Sequence, residues 1–338
     1  MEEKMTTTLS AKDGFEAGSG QSLVRDPDHI RLGIIGMTPG NGHPYSWSAI
    51  FNKYDRKAMT EECPFKGIPL YLNKEDYESM GIPGANVQCV YCNKREDAEH
   101  VSRLSLIPEV VSKPEDMIGK VDAVIIATDI GSEHVERAKP FLDAGLPIFI
   151  DKPLCDNLKD LTFFRKAVAD GAKICSSSSM RYCKEFIPFQ NGRVREVGTL
   201  RLLSINMSKY WETYGIHALE AIYPIAGPGF VSVRNTGDDK RNIVHLKHRN
   251  DFDVIISCIS DLFFDPTITI AGSQGLLQIR TVDSYSGFRT QLVSFINYLR
   301  TGVRPFPFAE TDELMQLVIA GIESKKRGGT EVFLSEFK

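Results

Sequence analysis

The chain has 338 residues, 42% of them hydrophobic and 25% charged, with a formal net charge of −4. This length predicts two domains, and the composition is that of an ordinary globular protein, not of a disordered or fibrous one. The slight acidic balance leaves no basic surplus to hold a nucleic-acid backbone by counterion release, and no uninterrupted apolar run is long enough to span a bilayer.

Residues 1–28 are polar and lack the apolar centre of a signal peptide, which predicts a disordered tail. Residues 29–36 form a short apolar run ending in glycine and read as a buried strand. A loop rich in Gly, Pro and Asn (37–44) and a helix (45–54) follow, the opening of a dinucleotide-binding unit. Residues 55–84, with Pro64, Pro69 and Pro83, read as an inserted loop or lid. A second strand is expected over 85–92. It carries Cys89 and Cys92, whose side chains point to opposite faces of a strand, so this CxxC predicts no metal site. The seven scattered cysteines have no framework spacing, and with no secretion signal they fit reduced thiols in a cytoplasmic protein. Strands at 121–128, 147–150 and 172–177 alternate with helices at 132–144 and 156–170, the latter capped by Asp156. This βα rhythm predicts a parallel sheet with right-handed crossovers, a Rossmann domain over 29–180.

Beyond Arg181 the pattern changes. Strands are expected at 200–207, 231–234, 243–247, 252–260, 267–271 and 276–281. Phe252, Val254, Ile256 and Cys258 alternate with more polar neighbours, as in an antiparallel sheet with one buried face. Two amphipathic helices close the chain, one ended by Gly302 and the other starting at Thr311 or Asp312. The second domain (181–338) is therefore α+β with an open antiparallel sheet. Covering that sheet's apolar surface predicts a homodimer or homotetramer.

Residues from Gly36 through Thr38, Pro39, Gly40, Asn41 and Gly42 lie where backbone amides and a helix N-terminus can hold a pyrophosphate. Thr38 stands where a second glycine is usual, and a plain Gly-rich turn is the alternative. The second strand ends in Asn93, Lys94 and Arg95, with no carboxylate for a ribose 2′-hydroxyl. That favours NADP over NAD as cofactor, with both kept open. Asp151, Lys152 and Pro153 directly follow a buried strand and face the crevice where an open α/β sheet binds ligands. A partly desolvated Lys152 near a cationic nicotinamide ring would have a lowered pKa and could exchange a proton with an alcohol or carbonyl oxygen. Pro153 makes a cis peptide conceivable. His217 opens a helix of the second domain and can share the proton work or serve as a hydrogen-bonded structural residue. His245 and His248 read as surface residues.

These motifs together resemble the glucose–fructose oxidoreductase/inositol dehydrogenase/MocA (Gfo/Idh/MocA) superfamily. The carriers are GIIGMTPGNG, VDAVIIATDIGSEHVERAKPFLDAGLPIFIDKPL, YGIHALEAI and ITIAGSQGLLQI. The resemblance implies an NAD(P)-dependent oxidoreductase acting on a sugar, sugar nucleotide or polyol. It gives Lys152 the catalytic proton transfer and places Thr128, Asp129, His134, Asp151 and Pro153 at the cofactor. Arg181 falls beside the substrate or nicotinamide, with Thr213 and Tyr214 near the substrate. The family's Asp-x-x-x-His maps onto Thr213 and His217, so its carboxylate is missing; Glu212, Tyr214 or Lys209 could replace it. Tyr71, Tyr77 or Lys66 of the insertion could refill the pocket. Other members of the superfamily imply two alternatives, a non-catalytic dinucleotide-binding sensor and an NAD-dependent glycosidase.

Overall fold

The computed structural model describes residues 20–337; most of the predicted tail lies outside them. Strands β1 (Ile30–Ile35), β2 (Ala85–Tyr91), β3 (Glu109–Val110), β4 (Ala123–Ile126), β5 (Ile148–Ile150) and β6 (Ile174–Ser176) form one sheet. Its order is β3-β2-β1-β4-β5-β6 and every pairing is parallel. All of β4 and β5 is buried, as continuous apolar runs require in a sheet covered on both faces. The order reverses between β1 and β4, so a crevice opens beyond the carboxyl ends of these two strands.

Helices α1 (His43–Asn52), α2 (Arg56–Glu62), α3 (Gly67–Leu72), α4 (Arg95–Leu104), α5 (His134–Asp143) and α6 (Leu158–Ala169) belong to this domain. Asn157, not Asp156, caps α6 by accepting a hydrogen bond from the Asp160 amide. The 55–84 segment, expected as a loop or lid, is not an irregular loop. It folds as α2, α3 and a short 3-10 turn, and buries Ala58, Met59, Ile68 and Leu72 in the core shared with α1. Residues 20–28 are also docked, with the Leu23 amide on the Leu299 carbonyl and Arg300 on the Pro27 carbonyl. Cys89 and Cys92 sit in different apolar clusters on opposite faces of the sheet.

The second sheet comprises β7 (Leu200–Ser208), β8 (Phe230–Asn235), β9 (Arg241–His248), β10 (Phe252–Ile259), β11 (Thr267–Gly272), β12 (Leu276–Arg280) and β13 (Val332–Phe333). Its order is β12-β11-β7-β10-β9-β8-β13. It is mostly antiparallel, but β7 and β10 pair in parallel. The reason is the route between them: α7 (Ile216–Ala226) and the β8–β9 hairpin return the chain in the direction of β7. Phe252, Val254, Ile256 and Cys258 all face the core. His248, read as a surface residue, is buried instead. Its ring stacks on Phe252 and its Nε2 meets the Pro228 carbonyl.

Helix α8 (Ser284–Thr301) ends at Gly302, whose φ of 67° is the left-handed conformation that glycine adopts without cost. Helix α9 (Phe308–Lys326) starts three residues before Thr311. The two helices serve different domains. Leu292, Phe295, Ile296 and Leu299 of α8 pack with Ile30, Trp47 and Phe149 on the first sheet, whereas α9 lies in the core of the second. Burying such side chains is worth about 1.5–3 kcal/mol each, so α8 is an integral layer of the first domain. Among the described residues no helix is long and apolar enough to cross a membrane.

Candidate active site

The crevice is built first from the β5 end. Asp151 follows Ile150, and its amide continues the ladder to the Ile126 carbonyl. Its side chain is fully buried. One carboxylate oxygen accepts the Lys152 amide at 2.7 Å; the other lies 2.6 Å from His43 Nδ1 and 3.2 Å from Asn41 Nδ2. Burial works to raise the Asp151 pKa, but His43 and Lys152 on either side outweigh it, and the carboxylate titrates well below its usual range. The Lys152–Pro153 peptide is cis.

Lys152 is 2% exposed. Its Nζ lies 3.6 Å from Asp129 and 3.9 Å from Asp151. Asp129 accepts the Thr38 hydroxyl at 2.6 Å, tying the Gly-rich loop to the end of β4. The Tyr214 ring covers the ammonium at 5.6 Å and meets the His217 ring at 4.7 Å, so Tyr214 bridges the two residues expected to carry the chemistry. Lys209 Nζ also lies over the Tyr214 ring, 4.3 Å from its centre, its pKa lowered by burial against the pull of Asp129.

Tyr214 reaches this place through the chain just before α7. Lys209 takes a positive φ of 62° after β7, and Trp211–Gly215 then form one π-helical turn that runs into α7. Wide turns of this kind frequently sit at functional sites. Buried Trp211 holds it, donating Nε1 to the Val318 carbonyl of α9 at 2.9 Å. His217 lies in the first turn of α7, and its Nδ1 is 2.6 Å from Ser178 Oγ. Burial first, then the charge of Lys152, holds the His217 imidazole well below its ordinary pKa, so it is neutral at neutral pH.

The Gly-rich loop turns tightly between Thr38 and Asn41, with Pro39 and Gly40 at an exposed tip. Gly40 has a φ of 83° and open space where a Cβ would stand, and its amide and that of Gly42 make no hydrogen bond among the described residues. A cradle of free amides around a bare glycine fits a pyrophosphate. The first turn of α1 contributes less than expected, because Asn41 takes the His43 amide and Pro44 has none. Gly36 and Gly42 serve packing: a Cβ there would strike Pro44, or Phe65 and Ile68.

Other expected residues lie elsewhere. His134 is fully buried, with its ring nitrogens on the Leu154 and Thr128 carbonyls; it stitches the Asp151–Leu154 turn to β4 and leaves no polar atom for a cofactor. Thr128 is buried beside it. Asn93 accepts from Arg137, and Lys94 precedes α4 at the exposed end of β2. Arg181 is committed to Glu220 and, at 2.7 Å, to Glu310, with Phe306 against its guanidinium; it lines a separate cavity of about 580 Å³ near the far end of α7. Thr213 has no hydrogen-bond partner among the described residues, and Glu212 turns away to Lys325. Of the insertion residues, Tyr71 joins the site's aromatic wall through Phe288, which also meets His43. Tyr77 packs on Tyr54, and among the described residues Lys66 hydrogen-bonds the Glu61 carbonyl. Sequence reasoning missed His43, Ser178 and Glu220. For His43 a signal existed: a titratable residue directly behind a Gly-rich loop.

Residues 30–178 match the model of the Gfo/Idh/MocA oxidoreductase family, described as having an NAD-binding Rossmann fold. No curated protein sequence matches the chain. Solved structures share the whole two-domain fold. A probable dehydrogenase from Thermotoga maritima is 15% identical, with a TM-score of 0.70 over 91% of this chain and all of that one. A putative myo-inositol dehydrogenase from Sinorhizobium meliloti 1021 is 17% identical, with a TM-score of 0.68 over 90% of this chain and all of that one. A myo-inositol dehydrogenase from Lactobacillus casei, solved with NAD(H) and myo-inositol, is 14% identical, with a TM-score of 0.69 over 90% and 96% of the two chains.

Proposed function

We propose that the chain is a member of the Gfo/Idh/MocA oxidoreductase family, whose model matches residues 30–178, and that it is a dehydrogenase or reductase of a sugar-like or polyol substrate. The observation that carries this reading is the buried Lys152 between Asp129 and Asp151, sharing the Tyr214 ring with a neutral His217 at the mouth of the crevice. A nicotinamide dinucleotide supplies the hydride donor or acceptor when bound. The amides of Gly40 and Gly42 would hold its pyrophosphate, with Thr38 bracing the loop against Asp129. Asn93 and Lys94 would stand beside its adenosine ribose, where the lysine suits a 2′-phosphate and the lack of a carboxylate disfavours a bare 2′-hydroxyl.

As the neutral amine Lys152 accepts the hydroxyl proton in oxidation, becoming the ammonium that Asp129 and Asp151 hold, and from that ammonium it returns the proton in reduction. His217 holds the same substrate oxygen. Tyr214 and Lys209 offer an aromatic face and polar donors to a polyhydroxylated ring. The exposed side of the second sheet carries Val231, Ile243 and Leu276, which suits association with a second copy.

The test is a fluorescence titration of the purified protein with NADH and, separately, NADPH, followed by turnover assays on inositols, sugars and sugar nucleotides. Tighter binding of NADPH with turnover of at least one polyol is the expected result. Tight dinucleotide binding with no turnover of any of them would mark a sensor instead, and failure of both nucleotides would end the oxidoreductase reading.

A further inference from the structure

We propose that Ser178 is a positioning residue that fixes His217 with its proton on Nε2, so that His217 donates a hydrogen bond to the substrate oxygen and leaves the base role to Lys152. This inference rests on the dehydrogenase reading and deepens it.

The argument starts from the hydrogen bonds of one hydroxyl. Ser178 lies just beyond β6 and caps the 3-10 turn Ser179–Tyr182. Its Oγ accepts the Met180 amide at 3.1 Å and lies 2.6 Å from His217 Nδ1. A hydroxyl has one proton to give and two lone pairs to receive with. Met180 occupies a lone pair. Among the described residues no carbonyl or carboxylate oxygen receives the Ser178 proton, so Nδ1 of His217 is its acceptor. A ring nitrogen that accepts carries no proton, and a neutral imidazole then bears it on Nε2. The opposite arrangement, Nδ1 donating to Oγ, would strand the hydroxyl proton of a residue only 1% exposed.

Nε2 has no partner of its own among the described residues, although the ring is held by Ser178 on one side and Tyr214 on the other. It is a prepared donor. The position one turn earlier on the chain, Thr213, brings no carboxylate to compete for it, and its side chain makes no hydrogen bond among the described residues.

The hydroxyl is itself held in register with α7. The Ser178 amide donates to Glu220 Oε1 at 3.2 Å, and Glu220 stands three residues after His217 on the same helix. The other oxygen of Glu220 binds Arg181 Nε, and Arg181 reaches on to Glu310. Arg181 therefore acts behind His217 as part of its support, which gives a place in the site to a residue expected to touch the ligand.

The assignment is tested on the full chain by long-range proton–nitrogen NMR of nitrogen-labelled histidines, with the His217 signals identified by their loss in His217→Gln. The expected wild-type spectrum has His217 protonated on Nε2 and bare on Nδ1. Ser178→Ala should give mixed tautomers and a fall in kcat of about tenfold or more, with NADH binding unchanged. Ser178→Thr keeps the hydroxyl and should keep the tautomer; Ser178→Asp, an acceptor only, should move the proton to Nδ1. A wild-type His217 protonated on Nδ1, or an unchanged tautomer in Ser178→Ala, overturns the proposal. The spectra need neither substrate nor cofactor, so failure of the dehydrogenase reading would show separately, as absent nucleotide binding, and would remove the donor role while leaving the tautomer assignment measured.

Discussion

Lys152 and two of the buried histidines, His134 and His217, set what single residues contribute. On the proposed mechanism, Lys152→Ala removes the side chain that moves the substrate proton. Turnover should fall by about a hundredfold or more while NADH affinity changes little; near-normal kcat would refute the role. His134 and His217 are both buried and both titrate below their ordinary value, mainly through desolvation. An unfolded histidine titrates near 6.5. Above about that pH neither state carries the charge, and the stability these residues contribute is complete. As the pH falls below it, the unfolded chain takes up protons that the folded chain refuses. Stability then drops by about 1.4 kcal/mol per pH unit for each histidine until its folded pKa is reached. Urea unfolding between pH 7.5 and 5.5 should show this slope, and His134→Gln or His217→Gln should each reduce it by one histidine's share. Equal slopes in all three proteins would rule out the depressed values. The residues with motif character, Lys152, Asp151, Thr38 and Asn41, were legible in the chain because the strand–turn context assigns their place. Ser178 was not, since its partner lies 39 residues away; His43 was marked only by its place behind the Gly-rich loop, and no local pattern encodes its pairing with Asp151, 108 residues on.

At the level of elements, the π-helical turn before α7 decides whether Tyr214 meets Lys152. It is wedged from outside: a Cβ on Gly321 of α9 would lie 2.3 Å from Trp211 Nε1, and one on Gly215 would lie 2.5 Å from the same indole. Gly321→Ala should therefore displace Trp211, cost about 1–3 kcal/mol in overpacking, and lower turnover although α9 touches no substrate. Urea midpoints and kcat measure both effects; an unchanged kcat at reduced stability would mean that the turn does not govern Tyr214. No sequence pattern announces this turn, because its cause is an indole filling space left by a glycine more than a hundred positions away. Alternation made β10 legible, and continuous apolar runs did the same for β1 and β4. The helices of the insertion were hidden by their shortness and by Pro69 inside α3. Two-residue β13 is too brief to carry a period.

Across the whole molecule, the chain order and the spatial order disagree in one consequential place. Helix α8 comes after all the long strands of the second domain yet covers the first sheet, and α9 then returns to the second core. Arg165 of α6 binds Asp312 of α9 and the Phe337 carbonyl, while Arg304, in the link between the last two helices, reaches the Ala172 and Ile174 carbonyls. The apolar cluster on one face of the first sheet is continuous with the core of the second domain. Neither half can lose its packing without exposing surface of the other, so the two domains should unfold as one unit despite their different classes. The chain carries its own probes for this, since it has two tryptophans, Trp47 in the cluster under α8 and Trp211 in the cluster of the second domain. Trp47→Phe leaves only the second core fluorescent, and Trp211→Phe only the first. In each variant the urea transition followed by fluorescence should superimpose on that followed by far-ultraviolet circular dichroism. A fluorescence change that clearly precedes the dichroism in either variant would show that its domain melts alone, and the crossing of α8 would then be a contact without cooperative weight.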